Sequence, residues 1–169
     1  TGGIYPSLDQ DYQVFAQGKE PIQHLSVYDA LVSFDVLREV KGVDKDNIAL
    51  AGESMGGRYA MIATAIDDRI KGLLVISSAG FNVDINPLQQ GNDYIVSIDP
   101  DHYIGKISPR QVFFLQGTND SVVTLQNARN TFSKANDPKK FFEAEGCTHG
   151  FCEDMWPEIK NDLNSLLKS

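Results

Sequence analysis

The sequence predicts an α/β fold, a mostly parallel sheet with helices on both faces. Three observations carry this. Short apolar runs alternate along the chain with segments whose apolar residues recur at helical spacing. Most of the runs are apolar throughout rather than at every second residue, as in strands buried on both faces. Helix-length segments separate them, as parallel neighbours require.

Residues 1–23 hold Gly2, Gly3, Pro6, Gly18 and Pro21 among polar residues and read as loop. Over residues 24–40, Val27, Ala30, Leu31, Phe34, Leu37 and Val40 fall on one helical face, and Gly42 suits the end of that helix. Residues 47–51 are a short apolar run, the first predicted strand. Residues 53–66, rich in Ala and Met, predict a helix. Residues 72–77 (GLLVIS) and 111–116 (QVFFLQ) are the second and third strands. Residues 121–135 come next as a helix with Val122, Leu125, Ala128 and Phe132 on one face. Lys139–Ala144 (KKFFEA) is the fourth strand. The last helix carries Trp156, Ile159, Leu163, Leu166 and Leu167, with Pro157 in its first turn. Residues 78–110 are too long for an ordinary connection and are expected to form a bridging segment or small cap.

The chain of 169 residues reads as one domain over 1–169. Its 41% hydrophobic and 22% charged composition is globular rather than disordered. Fifteen basic against 23 acidic side chains give a net charge of -8 with no Lys/Arg run, which argues against a nucleic-acid partner. No apolar stretch is long enough to cross a bilayer, so no membrane partner is expected. Two cysteines, Cys147 and Cys152, cannot staple a framework. Pairing between them stays open, but the expectation is free thiols in a reducing, cytoplasmic compartment.

The chemistry centres on Gly52-Glu53-Ser54-Met55-Gly56, with Gly57 after it. This G-x-S-x-G lies between a predicted strand and a predicted helix. A strand that turns at once into a helix bends sharply and holds its turning residue in a strained conformation. Close backbone approach at the flanks predicts the glycines Gly52 and Gly56. The turn presents the Ser54 hydroxyl at the carboxyl edge of the sheet, above a helix N-terminus whose free N–H groups favour an anion. The Met55 N–H is the predicted oxyanion donor.

A serine hydroxyl needs a base. The candidates are His24, His102 and His149. His149, in Gly146-Cys147-Thr148-His149-Gly150, comes after a strand at the same sheet edge as Ser54. His24 opens a helix, and His102 lies in the irregular segment. The base in turn needs an acid to hold its tautomer. Asp120, directly after the third strand, is the first choice and Asp84 the runner-up. Purely structural readings remain beside these: Ser54 or Asp120 as a helix N-cap, His149 as a loop residue, Glu53 as a solvated or packed carboxylate.

On these residues the chain resembles the α/β-hydrolase superfamily, in particular small esterase and dipeptidyl-peptidase-like serine hydrolases. The resemblance is carried by GESMGG at 52–57, FLQGTNDSVV at 114–123 and EGCTHGF at 145–151, and it extends from about His24 onward. It implies hydrolysis of a carboxylic ester-like bond through an acyl-enzyme, with Ser54 as nucleophile, His149 as base then acid, Asp120 as its partner and Met55 as one oxyanion donor. It implies a small acyl ester or amide substrate and no metal or organic cofactor. A peptidase or thioesterase of the same fold, or a non-catalytic binding or assembly module, are the alternatives. Tyr94, Tyr103, Phe151 and Trp156 are candidate pocket residues, with core packing as the bland alternative. The family places several strands before the nucleophile strand, whereas 46 residues precede Asn47 here, and Gly2-Gly3 makes no convincing oxyanion loop. The expectation is therefore a C-terminal portion of the full fold: a fragment of a longer protein, or a chain completed by self-association or a partner, nearly inactive towards esters as an isolated monomer.

Overall fold

The computed structural model describes residues 6–85, 89 and 92–168. Four strands, β1 (Leu50–Glu53), β2 (Gly72–Ile76), β3 (Gln111–Gly117) and β4 (Lys139–Ala144), form one sheet in the order β1-β2-β3-β4. Every neighbouring pair is parallel. The helices are α1 (Leu8–Ala16), α2 (Ile22–Arg38), α3 (Met55–Ile66), α4 (Asn92–Ile98), α5 (Leu125–Ser133) and α6 (Trp156–Lys168).

The central strands are apolar at nearly every position because both faces are covered. Leu73 and Val75 of β2 and Val112 and Phe114 of β3 pack with Ala60 and Met61 of α3 and Phe132 of α5. The alternate residues, Leu74, Phe113 and Leu115, pack with Ile159 and Leu166 of α6. Helices thus lie on both faces, as the sequence predicts. Leu73, Leu74, Phe114 and Met61 are fully buried. Each such side chain contributes roughly 1.5–3 kcal/mol of burial free energy. Helix α2 lies further out, packing Val27, Ala30 and Leu31 against Ile62 and Ala63 of α3.

Several expectations are corrected. The predicted loop over 1–23 holds α1, started by a capping box in which the Ser7 hydroxyl accepts from Gln10 N–H and the Gln10 side chain accepts from Ser7 N–H. Its one buried residue is Asp11, so no apolar stripe betrays it. The Asp11 carboxyl accepts Ile22 N–H at 2.7 Å, Gln23 N–H at 3.2 Å and the Tyr94 hydroxyl at 2.8 Å. It thereby caps α2, whose own N-cap, Pro21, offers no side-chain acceptor. Gly2 and Gly3 lie outside the described residues. The first strand is β1 at Leu50–Glu53 rather than residues 47–51: Ile48 is buried beneath α2 beside Phe34 and Ile70, and the ladder begins two residues later. Helix α5 starts at Leu125, four residues later than predicted, with Thr124 as its N-cap. The expected bridging segment holds α4 and two short 3-10 turns, Pro100–His102 and Ile104–Lys106.

Candidate functional site

Ser54 lies between β1 and α3 with φ 51° and ψ -121°. That backbone lies outside the regions open to L-residues. Such a conformation costs on the order of 1–3 kcal/mol and persists only where neighbours enforce it. The Ser54 N–H donates to the Ile76 carbonyl at 2.9 Å, and its own carbonyl accepts Gly57 N–H at 3.0 Å. The close-approach argument holds at Gly52, where a Cβ would stand 2.4 Å from the Gly56 carbonyl oxygen. It is corrected at Gly56, where a Cβ would meet nothing within 4 Å. Gly57 is the crowded position instead, with a Cβ falling 2.6 Å from the Ser78 Cβ. The helix packs onto the strand ends through that residue.

The Ser54 hydroxyl makes no cap bond to α3, against the N-cap reading. Its Oγ is 2.9 Å from His149 Nε2. The other ring nitrogen, Nδ1, is 2.9 Å from Asp120 Oδ2. Three side chains placed just after β1, β3 and β4 therefore meet at the carboxyl edge of the sheet. Met55 stands at the first position of α3, where backbone N–H groups have no partner inside the helix.

The acid and base loops are laced together. Thr118 N–H donates to Ala144 O, Asn119 N–H to Cys147 O and Gly146 N–H to the Thr118 hydroxyl. A Cβ at Gly117 would fall 2.4 Å from the Cys147 carbonyl oxygen, so only glycine permits this approach. Asp120 is fully buried at its side chain. Burial works to raise its carboxyl. Hydrogen bonds from His149, Val123 N–H, Val122 N–H and the Gln116 amide outweigh that and hold it below the usual carboxylate range. Asp120 does not cap α5; its backbone contacts close the turn before that helix.

The other candidates lie elsewhere. His24 sits between Glu20, at 3.2 Å, and Ser97 Oγ, at 2.7 Å. His102 is exposed in a 3-10 turn, and Asp84 is exposed after β2. Tyr94 is core, 1% exposed, and Tyr103 donates its hydroxyl hydrogen to Ser97 O. Phe151 and Trp156 are half exposed, meet edge to face with ring centroids 6.4 Å apart, and line a cleft of about 480 Å³ with Glu153 and Pro157. The free-thiol expectation is overturned: Cys147 and Cys152 form a disulfide across the loop carrying His149, their Cα atoms 6.2 Å apart. Residues five apart reach that separation because the loop turns back on itself. The thiol argument for a reducing compartment falls with it.

Four hydrogen bonds, made by three side chains, were not foreseen. Gln116, fully buried at the end of β3, donates to both Asp120 Oδ2 and Val123 O. The Ser77 hydroxyl donates to Gly150 O at 3.3 Å, and Phe151 N–H donates to Glu53 Oε2 at 3.0 Å. Only Gln116 left a trace in the sequence, as a polar residue ending an apolar strand. Among the described residues no cluster of three His, Cys, Asp or Glu stands ready to hold a metal ion. No described helix is long and apolar enough to cross a membrane.

No family model matches the chain. An uncharacterised Escherichia coli protein, YfhR, is 26% identical over 136 residues, covering 77% of this chain and 48% of that protein. The chain thus spans about half the length of the curated relatives it matches. Among solved structures, an acetyl xylan esterase from Thermoanaerobacterium sp. superposes with a TM-score of 0.72 at 14% identity, over 98% of this chain and 60% of that one. A puromycin-hydrolyzing peptidase from Mycobacterium tuberculosis superposes with a TM-score of 0.71 at 21% identity, over 86% of this chain and 26% of that one. The chain has an α/β-hydrolase-like fold.

Proposed function

We propose that this α/β-hydrolase-like chain carries the site of a serine hydrolase that cleaves a carboxylic ester-like bond of a small acyl substrate. The observation that carries the reading is the continuous path from Ser54 Oγ through the His149 ring to Asp120, with 2.9 Å at each step.

The path supports one direction for the proton. Asp120 is held ionised and only accepts, so the Nδ1 hydrogen of His149 points at it. Nε2 then carries the lone pair and accepts the Ser54 hydrogen. As Ser54 Oγ attacks the acyl carbon, Nε2 takes that proton and the buried carboxylate stabilises the imidazolium. The carbonyl oxygen becomes an oxyanion, with Met55 N–H as the proposed donor. Collapse expels the alcohol, which takes the proton from Nε2 and leaves an acyl group on Ser54. Water, deprotonated by the same nitrogen, attacks the acyl carbon; the bond to Ser54 Oγ breaks, Oγ takes the proton back from Nε2, and the acid leaves. No step calls for a metal or organic cofactor.

The test is to trap the acyl-enzyme. The chain is incubated with p-nitrophenyl acetate, quenched in acid and mapped by peptide mass spectrometry. Acetyl on Ser54, absent from Ser54→Ala, supports the proposal. Equal acetylation of wild type and Ser54→Ala overturns it.

A further inference from the structure

Glu53 has no part in the proton path, yet it adjoins the nucleophile and reaches the loop of the base. It ends β1, so its backbone leads directly into Ser54. Its side chain is exposed, and its Oε2 accepts Phe151 N–H, two residues after His149, at 3.0 Å. Its Oε1 lies 3.1 Å from where a Cβ on Gly150 would stand, and Gly150 has φ +89°. Glycine at 150 thus meets two demands at once, a left-handed turn and room for the Glu53 carboxylate. The peptide group that offers Phe151 N–H is held on its carbonyl side by the residue just after β2, where the Ser77 hydroxyl donates to Gly150 O at 3.3 Å.

We propose that Glu53 is a positioning residue: its carboxylate ties the backbone of the His149 loop to the strand end that carries Ser54, and so sets the distance from Nε2 to Oγ. This rests on the serine-hydrolase reading and deepens it. The Cys147–Cys152 bridge and the Ser77 contact hold the loop's outline without Glu53. The Ser77 contact holds the carbonyl side of the same peptide group from the end of β2, and the Glu53 contact joins its N–H side to β1, whose backbone runs directly into Ser54. Loss of the carboxylate lets the stretch just after the imidazole shift while the fold persists. A misplacement of about 1 Å in a catalytic pair costs on the order of 10²-fold in rate.

The experiment measures the rate at which a fluorophosphonate labels Ser54 in wild type, Glu53→Ala and Glu53→Gln, with thermal melting of each. The Ala variant is expected to label about 10- to 100-fold more slowly with an unchanged melting point. Glu53→Gln keeps an oxygen for Phe151 N–H and is expected to recover most of the rate. Wild-type labelling in Glu53→Ala, with the adduct still on Ser54, overturns the tie and leaves the hydrolase reading standing. Glu53→Gln as slow as Glu53→Ala also overturns it, since charge rather than a hydrogen bond would then be at work. A Glu53→Ala chain that melts early and regains the wild-type rate on cooling overturns it too. A wild-type chain that takes no label on Ser54 removes the hydrolase reading and this role together.

Discussion

Replacing Asp120 by Asn tests the direction of the proton path with almost no change in shape. Asp120 Oδ1 accepts from Val122 N–H at 2.9 Å and Val123 N–H at 2.8 Å, and an amide oxygen keeps both bonds. Oδ2 accepts from Gln116 and His149, each at 2.9 Å, and an amide nitrogen there is a donor facing two donors. Gln116 retains Val123 O at 2.8 Å. His149 must change tautomer so that Nδ1 accepts from the new amide. Nε2 then carries the hydrogen towards Ser54 Oγ and cannot take one. A wrong tautomer of this kind costs about 10⁴-fold in rate. That is about 5 kcal/mol of activation free energy. The assay is the fluorophosphonate labelling rate of Ser54, because both chains carry the same oxyanion donors and the ratio isolates the base. Labelling of Asp120→Asn within about threefold of wild type would refute the reasoning. Stability depends on the same carboxylate. Its pKa lies below the unfolded value of about 3.9. The stabilisation is therefore fully present above that value and is lost as pH falls through the lower folded one. The melting-point gap between wild type and Asp120→Asn should be full above about pH 4 and narrow as pH falls through the lower folded value.

Gly57→Ala drives a Cβ to 2.6 Å from Ser78 and should cost about 1–3 kcal/mol in urea unfolding, whereas Gly56→Ala meets open space inside α3 and should stabilise by up to about 1 kcal/mol. Equal effects at the two positions would contradict the packing described for the elbow. Opening the Cys147–Cys152 bridge with dithiothreitol, or by Cys147→Ser, frees a short loop worth about 2 kcal/mol in the chain-entropy account. A lower melting point and slower Ser54 labelling are expected, and unchanged labelling would show that the bridge does not help hold His149. Asp11→Ala leaves two backbone N–H groups and the Tyr94 hydroxyl without their acceptor and should destabilise by about 3 kcal/mol, read by calorimetry.

Legibility in the sequence tracks burial. Strands β2 and β3 are covered on both faces, so Leu73–Val75 and Val112–Leu115 had to be apolar and stood out. Among the described residues β1 is an edge strand whose residues alternate between partly buried and exposed, and the deeply buried Ile48 just before it drew the predicted strand out of place. Helix α1 was invisible to apolar periodicity because the group it buries is the Asp11 carboxyl; the Ser7–Gln10 capping box was its legible signal. The meeting of Ser54, Asp120 and His149 was legible because each comes just after a parallel strand, and parallel strands all end at the same edge of the sheet. The Gln116, Ser77 and Glu53 contacts depend on loop paths that no periodicity encodes. The Cys147–Cys152 bridge depends on how tightly the His149 loop turns, which composition does not report.

The most direct measurement is the site and rate of fluorophosphonate modification, mapped by tandem mass spectrometry in wild type, Ser54→Ala and His149→Ala. A single adduct on Ser54, absent from Ser54→Ala and formed far more slowly in His149→Ala, is the predicted result. An adduct on another serine, or on Ser54 at full rate without the imidazole, would contradict the account.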